Sequence, residues 1–418
     1  MSQVVIETRE RRGGWGVGRG ADWGRWVRAA MYGAALVLLG LGIWRLAADG
    51  EAVPELARLE ALANRGEAEE AERGLLKVVA RSPRYGDAWR LLARLRARRG
   101  DLRGCAEALA AMPEWWPDKR EAWFLEGQAW LGLNQARRAE AAWRACVEDD
   151  PHRPLVPEYL NGAAKGLIAL YIVQERVSEA HAVMEQVQIQ SAPEERAAIL
   201  GTRMRAETDR IEPREAVEIL SRYVAADPED GASRRALARA LNTLRRYDEA
   251  DAVLEEWLRR HPEDREGWVT RVRMLDERSD FEGLERAIAA LPAGLDVDPF
   301  VVQARGVIAE SRGDLEAAEA AFRRALELAP FDPQAHFRQA RVLRRLGRGD
   351  EAAAEQAAYQ AIRSAREAVP GAINELATLG TRGGPEAKAL YGRLARICET
   401  VGWLDLARAW RGMEASAG

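Results

Sequence analysis

Prolines recur on a fixed stride in this chain, and that stride constrains the fold more than any other feature. Pro83, Pro117 and Pro151 are 34 and 34 residues apart; Pro228 and Pro262 repeat the interval, and Pro330 falls two periods further on. A period of this length marks one supersecondary unit stacked many times, because a single such unit cannot bury its own apolar face. Aligned on the prolines, units starting at 52, 86, 120, 161, 197, 231, 265, 299 and 333 bring two more columns into register. The first holds Ala71, Cys105, Ala139, Ala180, Ala216, Ala250, Leu284, Ala318 and Ala352. The second, four residues on, holds Leu75, Leu109, Trp143, Met184, Leu220, Leu254, Ile288, Phe322 and Gln356. A small residue where two helices cross lets their backbones approach, and a large one a turn later fills the neighbour's groove. Gly66, Gly100, Gly313 and Gly347 share the turn between the two helices of a unit, where a positive φ ends the first. The column proline stops the second helix. Trp89, Trp123 and Trp268 share the fourth position of the first helix and are expected to anchor it against its neighbours.

These columns resemble the tetratricopeptide repeat from about residue 52 to residue 366. The unit 299–332 carries Gly306, Gly313, Ala318, Phe322, Ala325 and Pro330 in the places that family expects. The resemblance implies an all-α fold, a right-handed superhelical solenoid of antiparallel helix pairs with about nine units. Unit 265–298 departs most, with Leu284 for the small residue and Pro292 arriving early. An insertion near Pro154–Leu160 precedes the fourth unit. Residues 367–385 read as a linker ending in GTRGGP, and 386–415 as a degenerate further helix pair, with Gly402 and Ala407 in the turn and small columns.

Ahead of the array, residues 29–44 (AAMYGAALVLLGLGIW) contain no charge. Sixteen residues span roughly 24 Å as a helix, against a hydrocarbon core of ~30 Å, so Leu46, Ala47 and Ala48 are needed to extend the run. Trp26 and Trp44 flank it, as an aromatic belt would. Six arginines (Arg9, Arg11, Arg12, Arg19, Arg25, Arg28) precede it and acids follow. The expectation is therefore a cytoplasmic Arg/Gly-rich tail over 1–28, a transmembrane signal anchor over 29–48, and an exported array at a bacterial inner membrane. A cleaved signal peptide is the competing reading. The stretch Gly13–Gly20 lacks the spacing and the preceding strand that a dinucleotide fingerprint needs.

Catalytic chemistry finds no motif. There is no H-E-x-x-H, G-x-S-x-G, P-loop or C-x-x-C, and the four His (His152, His181, His261, His336) are scattered. Three distant Cys (Cys105, Cys146, Cys398) make neither a disulfide framework nor a zinc site. The expectation is no catalytic residue, no metal and no cofactor. A net charge of −4 argues against a global polycationic grip on nucleic acid. The 62 basic residues divide into 58 Arg and 4 Lys, so a lone Arg carries little weight.

An Arg column carries more. By resemblance to the family, positions 2, 5, 9, 12 and 13 of the first helix face a concave groove. Position 9 reads Glu60, Arg94, Gln128, Ala169, Arg205, Arg239, Arg273, Val307 and Arg341, five Arg in nine. Arg90 and Arg235 add to it from position 5, Arg90, Arg94 and Arg98 stack along one helix, and Arg338, Arg341 and Arg345 repeat the ladder. Between the basic stretches, Phe124, Gln128 and Leu131 turn the groove apolar. Guanidinium forks suit carboxylates, so the expected partner is a protein or peptide with acidic flanks, held by a scaffold, assembly factor or tether at the envelope. The opposing reading is codon bias, with Glu121, Glu266, Asp276, Glu277 and Glu310 neutralising the groove. An anionic glycan or lipid head group, and a cytoplasm-facing scaffold, are the alternatives.

Overall fold

The computed structural model describes residues 54–148, 156–190, 193–380 and 384–417. Among them there are twenty helices and no strand. α1 covers 54–64; α2 Ala68–Arg81, α3 Gly86–Arg98, α4 Leu102–Ala110, α5 Lys119–Gly132, α6 Ala136–Val147, α7 Pro157–Val173, α8 Val177–Gln190, α9 Pro193–Thr208 and α10 Pro213–Ala226 follow. The remainder are α11 Gly231–Thr243, α12 Tyr247–Arg260, α13 Arg265–Arg278, α14 Phe281–Ala289, α15 Pro299–Ser311, α16 Leu315–Leu328, α17 Pro333–Arg345, α18 Gly349–Leu379, α19 Pro385–Val401 and α20 Leu404–Ser416.

The turn column sets this alternation. Position 15 takes a left-handed φ in eight of the nine units: Gly66, Gly100, Asn134, Glu175, Arg245, Ser279, Gly313 and Gly347. Four of these are not glycine, so the array imposes the conformation even where a Cβ resists it. The exception is the unit starting at 197, whose position 15 is Ile211.

The chain divides into two compact units, residues 54–99 with Ala111–Trp116, and Gly100–Ala110 with everything from Pro117 on. In the first, α2 buries Ala71, Leu75, Val78 and Val79. Trp116 lies so close over Gly86 that a Cβ there would stand 2.4 Å from its ring. It meets Tyr85 edge-on at 5.9 Å, while Trp115 stays 59% exposed.

In the second unit the small and large columns pack as their spacing predicts. Trp143 fills the notch at Gly127, where a Cβ would stand 2.3 Å from its Nε1, and Phe322 fills that at Gly306, 2.6 Å from Cε1. Ala139, Ala180, Ala250 and Ala318 are wholly buried beside them. Lys119 and Arg120 are buried as caps. Lys119 Nζ donates to the carbonyls of Leu109 and Ala110 at 3.2 and 3.1 Å, and the Arg120 guanidinium donates to those of Cys146 and Glu148. Each cation thus meets the orphan carbonyls at a helix C-terminus.

The unit without its turn is where the stacking changes. α10 packs on α11 and reaches α7, with Leu170 in one core with Leu220 and Tyr223. Gln135 Nε2 donates to the Ala226 carbonyl at 2.7 Å, and Arg137 holds Asp227 in a fork of 2.7 and 3.2 Å. α9 packs instead on α8, α18 and α20, where Ala197, Leu200 and Met204 join Val369, Ile373, Leu376, Leu390, Leu394 and Trp410.

Two expectations change. Residues 367–379 continue α18, which runs helical through Pro370, so the expected linker begins only after Leu379. Among the described residues no helix is long and apolar enough to cross a membrane. α18 has the length, but Asp350, Glu355, Arg363, Glu367 and Glu375 charge it throughout. The single-pass anchor in a bacterial inner membrane is corrected accordingly. The tail 1–28 and the segment 29–48 on which it rested lie outside the described residues.

Candidate functional site

The arginines named from the sequence mostly meet acids of their own chain. In the first unit, Arg90 donates to Asp87 at 2.8 Å, Arg94 pairs with Glu60 at 3.6 Å, and Arg98 reaches Asn64 Oδ1 at 3.5 Å. In the second, Arg235 bridges Asp264 and Glu266 at 2.9 and 2.5 Å. Arg239 pairs with Glu175 at 2.9 Å, while burial pulls it below the usual arginine range. Arg338 clasps Asp276 with 2.8 and 3.0 Å bonds and touches Gln303 at 3.2 Å. Arg341 and Arg345 share Glu310 at 2.5 and 3.2 Å. Arg205, on the displaced α9, stands 3.9 Å from Asp209 and joins none of the others.

A rule runs through these pairs. The partner commonly lies about one repeat away in sequence: 34 residues for Arg94–Glu60, 35 for Arg345–Glu310, 31 for Arg341–Glu310. Adjacent first helices present the same position side by side, so an acid in one unit faces a base in the next.

The apolar stretch does not form a surface. Phe124 is spent on packing, its ring 5.9 Å from Tyr159 and pressed on Gly162. Leu131 packs against the cores on either side, and of the three only Gln128 is exposed.

Arg273 is the exception among the arginines. Its guanidinium lies 3.9 Å over the ring of Phe300, its Nε is buried without an acceptor, and it forms no ion pair among the described residues. It lines an open pocket of about 870 Å³ with Asp276, Phe300, Gln303, Phe331, Arg338 and Arg366. The acids there are already engaged. Asp276 holds Arg338, Glu277 accepts from Asn242 Nδ2 at 2.7 Å, and Asp332 accepts from Gln303 Nε2 and the Gln334 amide at 3.0 and 2.9 Å. Glu277 is raised above the usual carboxylate range by burial, against the pull of Arg273. Arg366, like Arg273, has no ion pair among the described residues, so the pocket carries a surplus of donors.

Phe300 and Gln303 sit at positions 2 and 5 of their unit, and the groove rule reaches them. Arg366 is the final position of the last repeat, on α18, where no groove column points to it. Among the described residues no group of three His, Cys, Asp or Glu could hold a metal ion. Cys146 is pushed up to about 11 and Cys398 to about 12 by burial, so both are thiols in the core.

Two stretches match family models described as tetratricopeptide repeat, residues 212–271 and residues 304–373. No curated protein matches the chain. Among solved structures, the chain is similar to a tetratricopeptide repeat protein from Parabacteroides merdae, at 13% identity and TM-score 0.31, covering 62% of this chain and 98% of that one. It is also similar to the APC/C hetero-tetramer Cut9–Hcn1, at 12% identity and TM-score 0.35, covering 87% of each chain. The human IFIT1 dimer with m7Gppp-AAAA has 13% identity and TM-score 0.37, over 86% of this chain and 75% of that one. At such low identity and TM-score these structures carry no residue-level argument.

Proposed function

The chain is a tetratricopeptide-repeat protein, and we propose that it is a non-catalytic interaction scaffold whose groove over α13, α15 and α17 holds acidic peptide segments of partner proteins. One observation carries the reading: the Arg273 guanidinium lies 3.9 Å over the Phe300 ring and forms no ion pair among the described residues, in a pocket whose acids are hydrogen-bonded elsewhere. A guanidinium stacked on a ring keeps its edge for a carboxylate, which it takes as a two-point fork. Phe300 and Phe331 give the same pocket an apolar wall, so the favoured segment sets Asp or Glu beside a large apolar side chain.

Fluorescence anisotropy of labelled peptides tests this directly. A Glu-Phe-bearing peptide should bind, and replacing Glu by Gln or making Arg273→Ala should weaken it about tenfold, as expected for loss of one charged hydrogen-bonded contact. Raising the salt should weaken it further. Equal affinity for the Glu and Gln peptides would sink the reading.

A further inference from the structure

Helix α9 leaves its place in the array and becomes a seat for the end of the chain. Trp410 Nε1 donates to Met204 Sδ at 3.1 Å across 206 residues of sequence. Leu376 comes so close to Gly201 that a Cβ there would stand 2.7 Å from its Cδ2. Leu200 and Met204 are fully buried in this contact. The run from α9 through the repeats to α20 therefore closes on itself.

What closes it has the build of a separate part. α19 and α20 pair across a left-handed Gly402 and a stacked Tyr391–Trp410 contact with ring centroids 5.5 Å apart. Their core continues into the second half of α18, while Ala352 on the first half is buried near the repeats. The changeover falls between Ala352 and Val369, and Pro370–Gly371 stands at its edge. Proline there has no N–H to give the preceding turn, and glycine follows with the freest backbone, so the helix is weakest beside the place where its two allegiances meet.

We propose that the Gly371–Leu379 end of α18, with α19 and α20, forms a preformed helical clasp, hinged at Pro370–Gly371, which seats on α9 and opens the array when it lifts. Its seating also shapes the Arg273 pocket. Gly402 lies against Phe331, where a Cβ would stand 2.4 Å from the ring, and Phe331 and Arg366 both line that pocket. A lifted clasp withdraws support from one wall.

The test needs no ligand and so stands apart from the peptide reading. Because Cys105, Cys146 and Cys398 are buried, Thr202→Cys and Arg408→Cys, both at exposed positions, can be spin-labelled selectively in the full chain. Pulsed electron paramagnetic resonance should give a single short distance. Gly201→Leu, which collides with Leu376, and Met204→Glu, which places a charge under Trp410, should each move most of the population to longer distances. Helix content by circular dichroism should stay at the parent level. An unchanged short distance in both variants would overturn the proposal. So would release accompanied by loss of helix content, since α19–α20 would then depend on α9 to fold.

Discussion

The indole Nε1 of Trp268 donates to the carbonyl oxygen of Pro262 at 2.9 Å. Trp89 makes the same bond to Pro83, also at 2.9 Å, and His336 Nε2 stands 2.9 Å from the Pro330 carbonyl. Two columns recognised separately in the sequence are thus one device. The ring that begins each of these units satisfies a carbonyl left over where the preceding helix ends, which that helix cannot pair itself. Trp268→Phe keeps an aromatic side chain, smaller than indole, and removes the donor. It should cost about 1 kcal/mol in a urea titration, without a change in helix content.

Arg245 holds φ at +61° in the turn of its unit, with no side-chain bond among the described residues that requires arginine there. Arg245→Gly should raise stability by about 1 kcal/mol, because it lifts the steric cost of the left-handed conformation. A rise in thermal midpoint is the expected readout.

Gly306→Ala should act in the opposite direction. The added Cβ would stand 2.6 Å from Phe322 Cε1 in a wholly buried column, so ring or helix must shift. A loss of roughly 1–3 kcal/mol, typical of overpacking, is expected by calorimetry.

Arg338 and Arg273 are neighbours with different duties. Arg338→Ala strands Asp276 in a half-buried site and should cost about 1–2 kcal/mol after allowance for solvent screening. Arg273→Ala breaks no ion pair and withdraws only an attraction on Glu277, so it should lower the urea midpoint less than Arg338→Ala. If the two costs come out reversed, the Arg273 guanidinium is structural.

The Arg137–Asp227 fork gives a pH signature. Burial pushes Asp227 up, but Arg137 and the Glu229 amide outweigh it and hold the carboxyl below its ordinary 3.8. A carboxylate so depressed contributes stability above that ordinary value and loses it as pH falls through the lower, folded one. The urea-midpoint gap between the parent and Arg137→Gln should therefore be full at neutral pH and close as pH drops below 3.8.

Much of the fold was legible because it is local and repeated. The alanine and large-residue columns carry the helix crossings, and counting 34 from Gly100 reaches Asn134, a residue type that itself tolerates a positive φ. The groove was harder to read. Arginine at position 9 could be seen, yet whether Arg94 was free depended on Glu60 one unit earlier, a lateral contact outside any single helix pattern. Phe124 was expected in the groove, but Gly162 on α7 lets its ring sink into packing. Arg273 differs from Arg239 by the absence of an acid such as Glu175, which only the folded array reveals. The departure of α9 had one faint signal, Ile211 where the other units turn. Nothing near Met204 announces Trp410.

That pairing also has a consequence in time. A ribosome releases α9 long before α20 exists, and at about 5–20 residues per second the intervening 206 residues take roughly 10–40 s. Throughout that interval Leu200 and Met204 lack the surface that covers them in the finished protein. The nascent chain therefore carries Leu200 and Met204 on a charged helix whose apolar side awaits α18 and α20, and α9 is where a chaperone would find it.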